Sequence, residues 1–437
     1  MSDDKFDSIV VGAGPAGVSA AITMARAGLN VALLERGEYP GAKNVQGAVL
    51  YSKMLQDVMP EFWKDCPLER AIVEENIWIL TDTSGIKAGY KSPEYAQSEP
   101  ANCYTIIRVA FDKWFSKKAE EAGVTLVTGV TVSDLVKKDG RIVGVKTTDG
   151  DELLASVVIA CDGANSILAQ KAGLHHEWRP DEIALGVKEI LALPREKIED
   201  RFGLEKNQGS TIEMVGDFTK GMMGYAFLYT NQESLAFGLG CALDDFQKTN
   251  AKPYDLLEEF KRHPLIRPLI EGSKSVEYSA HIIPEGAWPS MPPLYTDGLL
   301  IAGDAAQMIN PSHREGSNMA MKAGQLAGET VVEAKKTGHY DAKTLSLYRK
   351  KLDDSFVLKD MYDHKDVEVK VRHNRELMTL YPGLLNKAAH DYFLVDGAPK
   401  RDHMRRIVQR FRRERGVVNL VKDAWALRKL VGEFSIG

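Results

Sequence analysis

A chain of 437 residues that is 44% hydrophobic and 27% charged has the length and apolar content for a large core, and its size points to two or three domains. A net charge of -5 gives no global pull toward nucleic acid, which argues against that class of partner. The four cysteines, Cys66, Cys103, Cys161 and Cys241, are far apart and show neither C-x-x-C nor zinc-ligand spacing, so isolated thiols in a reducing compartment are expected. The opening "MSDDKFD" is acidic where a signal peptide is basic. No apolar run reaches membrane-spanning length, so a soluble or peripheral protein is expected.

The first element is "FDSIVV" (6–11), short, β-branched and bounded by glycine, which reads as a buried strand. "GAGPAG" (12–17) follows, and from Ala16 to Ala27 the alanines, Val18, Ile22 and Met24 suit a helix packed closely on a sheet, with Gly28 as its stop. "NVALLE" (30–35) is a second strand ending on an acid. Strand, G-x-G-x-x-G, helix, strand and acid make the context of a dinucleotide fingerprint. Gly12 makes the tight turn, Gly14 lets a pyrophosphate approach the backbone, and Gly17 lets helix and strand close together. The helix N-terminus offers free N–H groups and partial positive charge to phosphate. Glu35 suits a ribose diol and would repel a 2′-phosphate, which disfavours NADP. The motif leaves FAD and NAD open. Its place at the N-terminus, with a matching segment near residue 300, favours a fold built around one FAD.

"IIRVAFDKWFSKKAEEAG" (106–123) reads as an amphipathic helix with Ala110, Trp114, Phe115 and Ala119 on one face. Arg108 near its start is either a contact to the flavin side or a surface cation. "VTLVTGVTVSDLVKKDGRIVGVKTTDG" (124–150) is a strand-rich meander with a hairpin turn at Asp139-Gly140. "SVVIACDGANS" (156–166) is an apolar strand ending in Asp162-Gly163. In 224–243 two strands flank "NQES", and Tyr225, Phe227 and Tyr229 share a face, as an aromatic wall for a quinone ring or as sheet core. Tyr278 and His281 lie on another strand, where a lone histidine is a structural residue by default. "DGLLIAGDAAQMINPSHREGSNMAMKAG" (297–324) is a strand ending in Gly303-Asp304, then a loop, then a helix opened by Gly316. A carboxylate at a strand end suits a ribityl hydroxyl, and the helix dipole near Gly316 would favour an anionic reduced ring. After residue 345 the chain reads as helical. Its stretch 400–430 is dense in Lys and Arg, with Met404, Ile407, Val408 and Phe411 at helical spacing. That pattern is a solvated basic face or a docking surface for an acidic partner or anionic lipid.

Three of these segments, "GAGPAG", "CDGANS" and "IAGDAAQMINPSHREGSNMAMKAG", resemble the fingerprint and strand-end motifs of the p-hydroxybenzoate-hydroxylase-like flavoproteins. "ERGEYPGAKNVQGAVLY" (35–51), "IEDRFGLEKNQGS" (198–210), "FLYTNQESLAFGL" (227–239), "VEYSAHIIPEG" (276–286) and "VVNLVKDA" (417–424) look more closely like the FixC family, relatives of electron-transfer-flavoprotein:quinone oxidoreductase. The likeness runs from about residue 6 to about 430, and "GAKNVQGA" is its most specific part. The stretch "NPSHREGSN" (310–318) is more polar than expected opposite a flavin ring, and its layout with Pro311, Gly316 and Asn318 looks more like the hydroxylases.

The resemblance implies an α/β fold: a Rossmann-like FAD-binding domain of the p-hydroxybenzoate-hydroxylase / glutathione-reductase type, an inserted mixed β-sheet domain, and a helical C-terminal part. The expected division is 1–75, 100–175 and 285–345 for a discontinuous FAD-binding domain, 176–284 for a quinone-type sheet domain, and 346–437 for a docking region. The implied cofactor-binding residues are Gly12, Gly14, Pro15, Ala16, Gly17, Glu35, Arg36, Lys43, Asn44, Val45, Gly47, Arg108, Val132, Asp162, Gly163, Gly303, Asp304, Gly316, Ser317 and Asn318. No catalytic acid, base or nucleophile and no metal site is expected. The implied function is electron transfer: FAD takes electrons from an electron-transfer flavoprotein of the FixAB type and passes them toward ubiquinone or menaquinone. A ferredoxin-like FixX partner takes part, within a bifurcating complex that oxidises NADH. After residue 345 there is no cysteine, so that part cannot ligate an iron–sulfur cluster, and the resemblance implies that the separate ferredoxin-like partner carries it. The implied location is cytoplasmic, on the inner face of the cytoplasmic membrane. A geranylgeranyl-reductase-like or aromatic-hydroxylase-like FAD enzyme is the alternative.

Overall fold

A computed structural model describes residues 5–43, 48–311, 313 and 315–435 of the chain. It divides into two compact units. The first holds the chain up to Ala71 with Glu94–Ala184 and His281–Tyr362; the second holds Ile72–Pro93, Leu185–Ala280 and the chain from Asp363 onward.

In the first unit the strand Phe6–Val11 pairs in parallel with Val31–Glu35 on one side and Glu152–Ala160 on the other. Leu299–Ile301 extends the sheet beyond Glu152–Ala160, and Thr125–Thr128 extends it beyond Val31–Glu35, both in parallel. The register sets Val10 between Leu33 and Ile159, and Ile159 beside Leu300. All four side chains are fully buried, as expected of a parallel sheet covered on both faces. Every one of these strands therefore ends at the same edge. At that edge Gly12 N–H donates to Leu34 O at 2.7 Å, Cys161 N–H to Val11 O at 2.8 Å, and Ala302 N–H to Ala160 O at 3.0 Å.

The fingerprint helix Pro15–Arg26 packs on the late helix Ser317–Thr337 through small residues. A β-carbon on Gly324 would lie 1.9 Å from Ala16 O, and one on Gly328 would lie 2.7 Å from Ala20 O. The late helix thus closes on the fingerprint only because glycine stands at both crossings. The hairpin Val132–Lys138 and Arg141–Thr147 turns at Asp139 (φ 50°) and Gly140 (φ 78°), the two left-handed residues that its tight turn requires.

The second unit is built on a sheet in the order Lys274–Pro284, Ile183–Ala192, Ser234–Ala242, Gly224–Thr230, Gln208–Gly216 and Leu68–Leu80, with Gly85–Lys91 paired to the last. One face buries Ile212, Met214, Leu228, Phe237 and Leu239 against Leu257 and Phe260 of the helix Pro253–Lys261. Phe237 and Phe260 stack at 5.4 Å.

The unit boundaries differ from the sequence expectation at several places: residues 176–184 and 346–362 belong to the first unit. Residues 72–93 join the second unit, because Leu68–Leu80, paired with Gly85–Lys91 as a hairpin, lies beside Gln208–Gly216 in its sheet. The helices after Asp363 also belong to the second unit rather than standing apart. Arg375 clamps buried Asp245 with bonds of 3.0 and 2.7 Å, and Asn386 donates to Ile79 O at 3.0 Å. Such pairings, more than a hundred residues apart, leave no trace in local hydrophobic pattern.

Candidate cofactor site

The strand ends of the first unit enclose a cavity of about 310 Å³. Of the residues implied by sequence, Gly12, Gly14, Pro15, Ala16, Glu35, Arg36, Lys43, Arg108, Val132, Asp162, Gly163, Asp304, Gly316 and Ser317 line it. Gly17, Gly303 and Asn318 stand behind the wall. Asn44, Val45 and Gly47 lie outside the described residues.

The three fingerprint glycines serve three different constraints. Gly12 has φ +102°, and a β-carbon there would sit 2.2 Å from Cys161 O. A β-carbon on Gly17 would sit 1.9 Å from Gly12 O and 3.2 Å from Val10 Cγ1, so Gly17 sets the closeness of helix and strand. A β-carbon on Gly14 would meet nothing within 4 Å. No protein atom demands glycine at 14, and the open space lies on the cavity. The N–H groups of Ala16 and Gly17, in the first turn of the helix, have no carbonyl of their own to bond.

Glu35 lines the cavity and also holds the loop beside it. Its Oε2 accepts from Ala13 N–H at 3.0 Å and its Oε1 from Gly37 N–H at 2.7 Å. The acid at the end of the second strand thus bolts the fingerprint turn in place, with remaining lone pairs toward the cavity. Arg108 opens the helix Arg108–Glu121 and makes a two-pronged pair with Asp112, at 3.1 and 3.0 Å. Asp112 is buried, so it holds this cation in the wall rather than in solvent.

Two carboxyl groups stand at strand ends. Asp162 Oδ2 accepts from Leu168 N–H at 3.0 Å, whereas its Oδ1 is shielded from solvent and has no hydrogen-bond partner among the described residues. Desolvation pushes the Asp162 carboxyl up to about 6, against the pull of backbone N–H groups. Desolvation also raises the Asp304 carboxyl, opposed chiefly by the charge of the nearby Arg108 guanidinium. The two turns are tied directly, since Ser166 Oγ donates to Ala305 O at 2.7 Å.

An unmet buried acceptor, open space over Gly14 and free N–H groups at a helix start are what a dinucleotide would satisfy, so the residues present fit FAD. The late helix begins at Gly316, with Ser317 at its first turn on the cavity wall. Asn318 is buried behind it.

His281 was expected to be a structural histidine, yet it lines the cavity together with Ile283. Strand alternation puts 281 and 283 on one side, a signal present in "HIIP". Its Nδ1 lies 2.5 Å from Ile282 O. In the second unit, Phe227 and Tyr229 stack at 4.9 Å on one face, as their alternation requires. Tyr229 OH donates to Glu213 Oε1 at 2.9 Å, and the buried Lys188 lies 5.6 Å over the Phe227 ring.

Among the described residues no group of three or more His, Cys, Asp or Glu is placed to hold a metal ion, and no helix is long and apolar enough to cross a membrane. All four cysteines are buried and none is in a disulfide. Burial pushes the Cys66, Cys161 and Cys241 thiols up, away from the reactive thiolate form.

Residues 7–220 match the family of FAD dependent oxidoreductases, 183–283 match the ubiquinone-binding domain of ETF-QO, and 370–431 match the C-terminal domain of the ETF-QO/FixC family. Protein FixC of Bradyrhizobium diazoefficiens is 46% identical over 97% of this chain and 98% of its own length. Protein FixC of Escherichia coli K12 is 41% identical over 97% and 98%. Among solved structures, a geranylgeranyl bacteriochlorophyll reductase-like protein from Thermoplasma acidophilum superposes with a TM-score of 0.72 at 18% identity, covering 96% of this chain and 98% of that one. A flavoprotein/dehydrogenase from Cytophaga hutchinsonii gives 0.61 at 16% identity, over 98% and 100%. At such identities the structures speak for the fold alone.

Proposed function

The chain belongs to the FixC family and is an FAD-dependent oxidoreductase of quinone-linked electron transfer; on that premise we propose that it accepts electrons from an electron-transfer flavoprotein and passes them toward quinone with a ferredoxin-like iron–sulfur partner. We place it in an NADH-oxidising, electron-bifurcating complex on the inner face of the cytoplasmic membrane. The observation that carries this reading is the joint match of one chain to an FAD oxidoreductase model and a ubiquinone-binding model, at 46% identity to a FixC protein over nearly its whole length.

Bound FAD supplies reversible one- and two-electron chemistry. The chain's own residues hold and tune it. The free N–H groups at the start of the helix Pro15–Arg26 would receive the pyrophosphate over Gly14, and Glu35 would take the adenosine ribose. Asp162 Oδ1 and Asp304 accept from hydroxyl groups of the cofactor. The first turn at Ser317 presents N–H groups and partial positive charge to the ring. No step in this scheme needs a nucleophile, and the desolvated thiols supply none.

In the second unit the stacked Phe227 and Tyr229 offer a flat platform to a quinone ring, and buried Lys188 offers a cation to its oxygens. The helix Lys400–Arg415 carries eight Lys and Arg against two acids. The same C-terminal region exposes Phe393 at 76%, Val395 at 84% and Trp425 at 60%. Cations beside exposed aromatic and aliphatic groups suit an anionic lipid surface.

The test is reduction of the FAD-loaded chain. NADH alone should leave the visible flavin absorbance unchanged, and NADH with an electron-transfer flavoprotein should bleach it, with quinone restoring it. Rapid bleaching by NADPH in the presence of an aromatic compound would instead place the chain with the hydroxylases.

A further inference from the structure

We propose that Trp178 and Glu182 form a polar strap that holds the Asp162 turn in register with the Asp304 turn, which makes them positioning residues for the cofactor cavity. The proposal rests on the FAD reading of that cavity.

The Asp162 turn is not a relaxed one. Gly163 has φ 71°, and Ser166, which carries a side chain, has φ 47°. A turn in this conformation persists where its surroundings over-determine it. Two bonds do so, Leu168 N–H to Asp162 Oδ2 within the turn and Ser166 Oγ to Ala305 O across to the Asp304 turn. The third comes from a distance: after the helix Ile167–Lys171 the chain doubles back, and Trp178 Nε1 donates to Ala164 O at 2.7 Å. Ala164 itself lines the cavity, two residues after Asp162.

Trp178 is anchored in turn by Glu182. Its Oε2 accepts from Arg179 N–H at 2.8 Å and meets His176 Nε2 at 3.3 Å. Its Oε1 accepts from Ser290 Oγ at 2.9 Å and faces the Arg179 guanidinium at 3.2 Å. The Glu182 side chain is 4% exposed, so these donors replace water. Burial alone would raise the Glu182 carboxyl, but the Arg179 N–H, Ser290 and the Arg179 charge outweigh it and hold it below the ordinary glutamate value. The ion therefore stays charged and keeps all its acceptors.

From Glu182 the strap runs on to the second turn. Glu182 O accepts from Glu285 N–H at 2.9 Å and Gly286 N–H at 3.0 Å. Gly286 and Ala287 N–H both donate to Gln307 Oε1, at 3.0 and 3.2 Å. Gln307 is fully buried, has φ 57°, and its N–H donates to Asp304 O at 3.0 Å. A run of hydrogen bonds thus leads from Ala164 to Trp178, across the Trp178–Arg179 peptide to Glu182, and on through Gly286 and Gln307 to Asp304. Together with the direct Ser166–Ala305 bond, it fixes two turns that each carry a cavity carboxylate. A hydroxyl-bearing ligand spanning both carboxylates would bind tightly only while that spacing holds.

The experiment uses the full chain, prepared without FAD and then reloaded. Trp178→Phe keeps the ring and removes only the N–H. Glu182→Ala removes the hub, and Glu182→Gln keeps its size and an acceptor. The readouts are the FAD dissociation constant, the visible circular dichroism of the bound flavin, and the flavin midpoint potential. We expect Trp178→Phe to weaken FAD binding about five- to tenfold and Glu182→Ala more than tenfold, with Glu182→Gln recovering most of the loss. The visible dichroism should change in the first two variants. The double variant Trp178→Phe with Glu182→Ala should lose less than the sum, because both cut one strap. If Glu182→Ala fails to fold, Trp178→Phe decides alone. FAD affinity within twofold of the parent, with unchanged dichroism, overturns the strap even if melting temperature falls. A parent chain that takes up no FAD overturns the cavity reading itself, which is a separate failure.

Discussion

The carbonyl oxygen of Cys161 stands 2.2 Å from where a β-carbon of Gly12 would be. The first glycine of the fingerprint is thus dictated by the neighbouring strand end, whereas the second, Gly14, faces open space. The two positions should therefore respond differently to the same substitution.

Gly12→Ala should destabilise the fold by roughly 2 kcal/mol or more, since both the clash and the positive φ are against it. Gly14→Ala should fold normally, because Gly14 has φ -83° and no neighbour in the way. It should still weaken FAD binding at least tenfold by filling the approach to the backbone. Thermal melting of the FAD-free proteins and flavin titration check the pair; a Gly14→Ala protein with parent affinity would contradict the fingerprint assignment.

Asp162 gives a prediction with opposite signs for stability and binding. Its folded-state carboxyl is raised to about 6 by desolvation. The stability it contributes is therefore present below the unfolded value, near 4, and is lost as pH rises through about 6. Asp162→Asn should stabilise the FAD-free protein at pH 7.5, by on the order of 1–3 kcal/mol, and this gain should vanish toward pH 4. The same variant should bind FAD more weakly. In the parent, FAD affinity should fall as pH drops below about 6, because the carboxylate must be ionised to accept two hydroxyl bonds. Denaturant melts and FAD titrations across pH 4.5–8 test both limbs.

Charge reversal at Arg412 and Arg413, both exposed on the helix Lys400–Arg415, should lower binding to anionic vesicles several-fold at low salt. The difference should shrink as ionic strength rises. Phe393→Ser with Trp425→Ser should weaken vesicle binding in a salt-independent way. Vesicle sedimentation separates the two contributions, and indifference to all four substitutions would leave this surface merely solvated.

Lys188→Met, which keeps length and apolar stem, should raise the KM for quinone while leaving reduction of the flavin by the electron-transfer flavoprotein unchanged. Phe227→Leu should do the same to a smaller degree, about two- to fivefold. Steady-state quinone reduction and single-turnover flavin reduction, measured side by side, tell a quinone platform from sheet core.

The expected stability and binding effects of Gly12, Gly14 and Asp162 show how far local pattern reaches. The three strand-end motifs were legible because each couples an apolar run to a glycine or an acid at its end, and a parallel sheet brings such ends together by construction. The hairpin at Asp139-Gly140 was legible for the same reason: two residues with positive φ state their own turn. The role of Glu35 as a bolt for Ala13 N–H was not legible, because it depends on where a loop 22 residues earlier comes to rest. Nor was the place of His281 in the cavity wall, or the union of the C-terminal helices with the second unit.

Fold class, cofactor family and the order of the FAD-binding pieces follow from short-range chemistry: hydrophobic period, turn residues, and the spacing of glycine and acid. The spacing of Asp162 from Asp304, the setting of the Glu182 carboxylate among Arg179, His176 and Ser290, and the crossing of two helices at Gly324 and Gly328 were decided only when distant segments met. They arise from close packing and from the demand that every buried polar group find a partner, and neither condition is written in any one stretch of chain.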